Sequence, residues 1–110
     1  MLIATRTLKF AGESGNIAIP IRIFAPERIG GEWSCRFEID WPAVKRKASA
    51  VGLDSMQAIV LALQMIGSEI YATNYHKSGK LFLEVPGRGY GFPVTAGLRN
   101  SLVGDDVKYF

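Results

Sequence analysis

The segment from Trp33 to Trp41 alternates strictly between apolar and polar side chains, and it constrains the fold more than any other part of the sequence. Its apolar positions are Trp33, Cys35, Phe37, Ile39 and Trp41. Successive side chains of a β-strand point to opposite faces, so one face of this segment is apolar and the other polar. The pattern predicts a strand of an antiparallel sheet, with one face against the core and one in water.

The apolar period changes from two residues to about 3.6 at Gly52-Leu53-Asp54, which marks the start of a helix. Asp54 is placed to cap the helix, and Gln57 completes a capping box three residues later. The spacing predicts a helix from Ser55 to about Ala72 that lies on the sheet. Its expected core side consists of Met56, Ile59, Val60, Leu63, Ile66 and Ile70.

The other elements follow from strand and turn patterns. Further strands are predicted at residues 2–10, 17–24, 44–51 and 81–85, a short C-terminal helix at 95–103, and loops or tail at 25–32, 74–79 and 105–110. Pro20 cannot donate to a ladder, which favours an edge position or a bulge for its strand. Because strands come in a run before the helix, we expect an α+β fold. This fold has an antiparallel sheet of four to five strands, one long amphipathic helix on one face and a short C-terminal helix, in a single domain over residues 1–110.

Composition excludes several classes of protein. The chain has 110 residues with one cysteine, one histidine and a net charge of +3. One cysteine cannot form an intrachain disulfide, which favours a reducing compartment, and one histidine excludes a histidine-rich metal site. No segment reads as a signal peptide or a membrane span, so we expect a cytoplasmic protein that does not bind membranes.

Single chemistry-bearing residues do not form a catalytic constellation. His76 is interpreted as an exposed loop histidine, Cys35 as a buried small hydrophobe, and Asp105-Asp106 as exposed carboxylates that could bind a cation. No nucleophile with a matching base, no metal set and no cofactor loop is recognisable. The sequence therefore favours a non-enzymatic protein without cofactor or metal.

The glycine-rich loop from Gly87 to Gly91 is a candidate ligand site. Arg88 could contact an anion, and Tyr90 and Phe92 could line a pocket between this loop and the sheet. A phosphate-binding loop would lead into a helix N-terminus, and this loop does not. The simpler interpretation is an irregular turn, with a small-ligand or anion site as the alternative.

The basic run Lys45-Arg46-Lys47 is a candidate for phosphate contacts. Three cations give a short electrostatic footprint at most, and the carboxylates of Glu38 and Asp40 on the neighbouring strand oppose it. Nucleic-acid binding is therefore a disfavoured alternative.

The predicted helix is apolar over most of its circumference. Leu61 and Met65 lie beside its polar stripe, and the small residues Ala58 and Ala62 next to them would let a second helix approach. Either the C-terminal segment covers this patch, or a partner does. The leading hypothesis is a non-enzymatic protein-interaction module that forms a homo-oligomer, such as a homodimer, or binds a protein partner.

Four groups of residues resemble a family of small, uncharacterised bacterial domains. They are Trp33-x-Cys35-x-Phe37-x-Ile39-x-Trp41, Gly52-Leu53-Asp54 followed by Gln57-Ala58 and Leu61-Ala62-Leu63, Gly79-Lys80-Leu81-Phe82, and Gly91-Phe92-Pro93. The similarity extends from Leu2 to about Asp106. It implies a bacterial single-domain protein and assigns no catalytic or binding residue.

Overall fold

A computed structural model describes all residues from 1 to 110. The strands are β1 (Leu2–Gly12), β2 (Gly15–Phe24), β3 (Glu27–Ile29), β4 (Glu32–Asp40), β5 (Lys45–Gly52) and β6 (Leu81–Phe82). The helices are α1 (Ser55–Ala72), α2 (Asn74–Lys77), a 3-10 helix (Ala96–Ser101) and α3 (Asp105–Tyr109). The predicted α+β fold with an antiparallel sheet, one long helix and a short C-terminal helix is confirmed.

The strands form a single antiparallel sheet. β1 pairs with β2 on one side and with the short β6 on the other, and β2 pairs with β4. β5 pairs with one edge of β4 from Trp33 to Asp40. The opposite edge of β4 pairs with β2 at residues 37–39 and with β3 at residues 32–34. The spatial order is therefore β6-β1-β2-β4-β5, with β3 as a continuation of β2.

Pro20 lies in an interior strand, so the edge position predicted from it is wrong. It faces Thr7 of β1, and the pairing of β2 with β4 extends only to Ile21, opposite Ile39. The missing N–H therefore falls where the ladder between β2 and β4 has ended, and no hydrogen bond of the sheet is lost.

The capped start of α1 is confirmed. Asp54 Oδ1 accepts a hydrogen bond from the backbone N–H of Gln57 at 2.7 Å, and Gln57 Oε1 accepts one from the backbone N–H of Leu53 at 2.6 Å. These two bonds satisfy donors that would otherwise lack partners at the start of the helix.

The buried face of α1 differs from the predicted one. Its fully buried apolar residues are Ala58, Ala62, Ile66 and Ile70, whereas the side chains of Met56 and Val60 are 71% and 46% exposed. The small alanines allow close approach: a Cβ at Gly52 of β5 would lie 2.6 Å from the backbone nitrogen of Ala58. Periodicity alone did not reveal this rotation, because it ranks large apolar residues above alanine as core residues.

Several short elements were not predicted. β3 and α2 lie in segments expected to be loops, α3 lies in the expected tail, and β6 is two residues long instead of five. The segment after Thr95 forms a 3-10 helix rather than an α-helix. Elements this short depend on tertiary contacts, because a single turn of helix or a pair of strand residues is not stable by itself. None of the helices combines the length and hydropathy needed to cross a membrane.

We predict that Gly67→Ala destabilises the protein, although alanine is the better helix former by about 1 kcal/mol. A Cβ at Gly67 would collide with the backbone carbonyl oxygen of Pro93. Displacing that backbone should lower the free energy of unfolding by about 1–3 kcal/mol, measured by urea denaturation. Gly97→Ala is the matched control, because nothing lies within 4 Å of the Cβ it adds. Equal stability of the two variants would contradict the close approach of α1 and the loop.

Candidate functional site

α1 lies on one face of the sheet and covers that face unevenly. α1 packs mainly on β4 and β5, so the half formed by β1 and β2 is left to the loop around Phe92 and to the C-terminal segment. That cover is incomplete, and a groove of about 360 Å³ remains. Its lining residues are Ala4, Thr5, Arg6, Ile21, Ile23, Val60, Leu63, Ile66, Gly91, Phe92, Pro93 and Phe110.

Arg6 has the one charged side chain among the residues that line this groove. Its Nη1 donates to the backbone oxygen of Gly91 at 2.8 Å and to that of Tyr90 at 3.3 Å, and its guanidinium lies 4.9 Å from the centre of the Phe92 ring. Gly91 has a φ of +77°, and a Cβ there would lie 2.7 Å from Nη1. A glycine at this position is therefore what brings the loop and the arginine together.

The edge of β1 beside the groove is open. β6 pairs only with Lys9 and Phe10, and the N–H of Ala11 donates to Lys80 O at 3.0 Å. Alternate residues of a strand direct their main-chain groups to the same edge, so Thr7 and Thr5 also direct theirs to this side. β6 ends before it reaches them, and their main-chain N–H and C=O groups have no partner strand.

A buried carboxylate holds the C-terminal segment in place. Asp106 is 1% exposed, and its Oδ2 accepts from the Tyr71 hydroxyl at 2.6 Å and from the Tyr90 N–H at 2.9 Å. Its Oδ1 accepts from the Gly91 N–H at 2.8 Å. Three donors satisfy the charge in the interior, so the carboxylate is fully engaged by the chain itself. This arrangement fits a structural role rather than the exposed cation site considered for Asp105-Asp106.

Two tyrosines lie next to this carboxylate, and a histidine packs against both of them. Burial raises the pKa of Tyr71, with a further contribution from its hydrogen bond to Asp106, and burial raises the pKa of Tyr90 to about 12. Burial, with the positive charge of Lys77, lowers the pKa of His76, whose Nδ1 is hydrogen-bonded to the Tyr90 hydroxyl. A protonated phenol can donate to a neutral imidazole, so both groups keep their uncharged forms near neutral pH.

The residues of the predicted ligand loop separate into different environments. Tyr90 and Phe92 are buried, and Phe92 forms part of the groove wall. Arg88 is exposed and pairs with Asp105 at 3.3 Å, away from the groove. The sequence therefore predicted the correct loop but the wrong cation. The arginine at the groove is Arg6 and not Arg88.

The basic run is divided between the two faces of the sheet. Arg46 faces α1 and pairs with Glu69 at 2.7 Å. Lys45 and Lys47 lie opposite Asp40 and Glu38 on β4, and these carboxylates also bind Arg22. The three cations do not form one patch.

The four helix residues considered for an interface differ in exposure. Ala58 and Ala62 are fully buried, whereas Leu61 and Met65 are partly buried and pack against the core. The exposed apolar residues of α1 are instead Met56 and Val60. Ala58 and Ala62 thus contribute to the packing of α1 on the sheet.

The structure agrees with the prediction for Cys35 and differs from the prediction for His76. Cys35 is fully buried, as predicted, and burial raises the pKa of its thiol. His76 is partly buried in α2 rather than exposed in a loop. No group of three or more histidine, cysteine, aspartate or glutamate side chains is arranged to hold a metal ion. No signal in the sequence indicated the place of Arg6 at the groove or the burial of Asp106, because both depend on tertiary contacts with Gly91.

We predict that Asp106→Asn lowers the free energy of unfolding by about 2 kcal/mol. The amide that replaces one carboxylate oxygen is a donor, and it would face an N–H or O–H donor that now has an acceptor. Asp105→Asn is the matched control, because Asp105 is partly exposed and its side chain makes only the pair with Arg88. Urea denaturation of both variants measures the difference, and equal losses would contradict the structural role of Asp106.

We predict that stability falls as the pH drops below 6.5, the ordinary pKa of histidine, because the pKa of His76 is lowered in the folded protein. Below that pH the unfolded chain binds a proton that the folded chain does not, which favours unfolding. His76 is the single histidine, so His76→Gln should remove this part of the pH dependence. Chemical denaturation of both proteins between pH 5 and 8, about the range in which histidine titrates, measures the effect. Parallel pH profiles for the two proteins would contradict the buried, neutral state of His76.

Comparison with known proteins places the chain in a family. No curated protein and no solved structure matches it significantly. A family model described as a domain of unknown function (DUF6968) matches residues 4–94, from β1 through α1 to the loop that forms one wall of the groove. Since this match covers most of the sequence, the chain belongs to the DUF6968 family.

Proposed function

We propose that the protein is a non-enzymatic interaction module that associates with a second copy of itself through the open edge of β1. The observation that carries this proposal is the set of unpaired main-chain groups at Thr5 and Thr7, directly beside an apolar groove. Exposed strand edges pair readily with another strand, and a homodimer offers each copy an identical edge.

The two open edges of the sheet differ in a way that favours β1. The outer edge of β5 carries the exposed lysines Lys45 and Lys47, and edge lysines are a common protection against strand addition. The unpaired part of β1 has no lysine before Lys9. Adding a second strand at the edge of β1 therefore costs less electrostatic and desolvation free energy than adding one at the edge of β5.

Exposed apolar side chains cluster around the same edge. Leu2 and Ile3 of β1 are about half exposed, as are Val60 and Phe110 at the groove. A second copy that covers these side chains would gain hydrophobic stabilisation in addition to main-chain hydrogen bonds. We therefore assign the interface to this surface instead of to Leu61 and Met65.

An antiparallel arrangement about a two-fold axis near Thr5 satisfies both edges at once. Thr5 of one copy would exchange N–H and C=O hydrogen bonds with Thr5 of the other. Arg6 of each copy would then lie opposite Ala4 of the other, so two guanidinium groups need not face each other directly.

The alternatives have less support. The saturated carboxylate of Asp106 and the buried thiol of Cys35 fit structural roles better than catalytic ones. The division of Lys45, Arg46 and Lys47 between two faces weakens nucleic-acid binding. The single buried cysteine supports a cytoplasmic location, which is part of this proposal.

We predict that the wild-type protein is a dimer by analytical ultracentrifugation and that Thr5→Pro is a monomer. Proline removes the outward N–H at Thr5 and blocks strand addition, while the pairing of β1 with β2 is retained. Ser49→Pro, on the outer edge of β5, is the matched control and should remain dimeric. A wild-type monomer at all concentrations, or loss of the dimer in Ser49→Pro alone, would overturn the proposal.

A further inference from the structure

We propose that the groove between β1, α1 and the Phe92 loop binds a small monocarboxylate with an apolar body, and that Arg6 holds the carboxylate. This ligand site goes beyond self-association and does not require it. The site combines an apolar interior with a single cation at its border.

The size and lining of the groove fit a small apolar molecule. Its volume of about 360 Å³ lies within the range typical of small-molecule sites, roughly 300–1,000 Å³. The main apolar lining side chains are Ile21, Ile23, Val60, Leu63, Ile66 and Phe92. They come from β2, α1 and the loop, so an apolar body in the groove would be contacted from three sides.

Arg6 differs from the arginines that already have a carboxylate partner. Arg22, Arg46 and Arg88 each pair with an acidic side chain, whereas Arg6 pairs with none, and no acidic residue lines the groove. Its Nη1 is engaged by two backbone oxygens, while its Nε and Nη2 make no hydrogen bond within the chain. These two nitrogens present parallel N–H donors, so together they can bind a carboxylate in bidentate fashion.

The position of the guanidinium is fixed before a ligand arrives. The carbonyl groups of Gly91 and Tyr90 hold one nitrogen, and the Phe92 ring lies 4.9 Å from the guanidinium carbon. A preorganised cation costs less ordering entropy on binding than a free surface arginine. One cation among apolar walls selects a ligand with one negative charge and disfavours polyanions and cations.

Isothermal titration calorimetry with decanoate, decanol and decyltrimethylammonium, each below its micelle concentration, tests the charge preference. The three probes share the apolar chain and differ in the head group. We expect saturable binding of decanoate about tenfold tighter than that of decanol, and no binding of the cation. Equal affinity for decanoate and decanol would overturn the role of Arg6, and the absence of saturable decanoate binding would overturn the site.

Two pairs of variants locate the binding. Val60→Phe fills the groove from the exposed side of α1 and should abolish decanoate binding, whereas Met56→Phe, one turn earlier and outside the groove, should leave it unchanged. Arg6→Gln should reduce decanoate affinity to that of decanol, with Arg36→Gln, whose guanidinium lies over Phe24, as the control. Retained decanoate binding in Val60→Phe would place the ligand elsewhere and overturn the proposal. Val60→Phe leaves the main-chain edge of β1 intact, but Val60 also lies at the proposed dimer surface. The oligomeric state of this variant is therefore measured in parallel by analytical ultracentrifugation, and a loss of decanoate binding in a variant that still dimerises is assigned to the groove.

Discussion

The buried carboxylate of Asp106 organises the region where α1, the Phe92 loop and the C-terminus meet. It binds the N–H groups of Tyr90 and Gly91, and the carbonyl oxygens of these two residues bind the guanidinium of Arg6. A two-residue segment of backbone therefore lies between an anion and a cation that are far apart in the sequence. Because each charge is matched by the main-chain dipoles that face it, the loop has a single favourable position. That position sets both the wall of the groove and the placement of its one cation.

The position of α1 on the sheet explains why a groove exists. Because Ala58 and Ala62 are small, α1 packs closely against β4 and β5. Gly67 allows the backbone at Pro93 to approach the same helix. One helix is about 10 Å wide and neighbouring strands lie about 4.8 Å apart, so a helix placed on β4 and β5 does not also cover β1 and β2. The β1–β2 half is left with a thin cover of loop and C-terminal residues.

The proposed functions both depend on this uneven cover. An open strand edge offers main-chain hydrogen bonds, and the adjacent groove offers apolar surface and a guanidinium. The same half of the sheet could thus pair with a second copy and hold a small anion. The polar face of the sheet has less to offer a partner, because the carboxylates of Glu38 and Asp40 are bound by Arg22.

Elements whose signals are local could be predicted from the sequence. The alternation from Trp33 to Trp41 and the capping box at Asp54 and Gln57 predicted β4 and the start of α1, because strand faces and helix caps depend on near neighbours. The sequence did not reveal which face of α1 is buried, that Asp106 is internal, or that Arg6 rather than Arg88 borders the groove. These outcomes arise from contacts between residues distant in the chain, where close backbone approach and the pairing of buried polar groups outweigh hydrophobic periodicity.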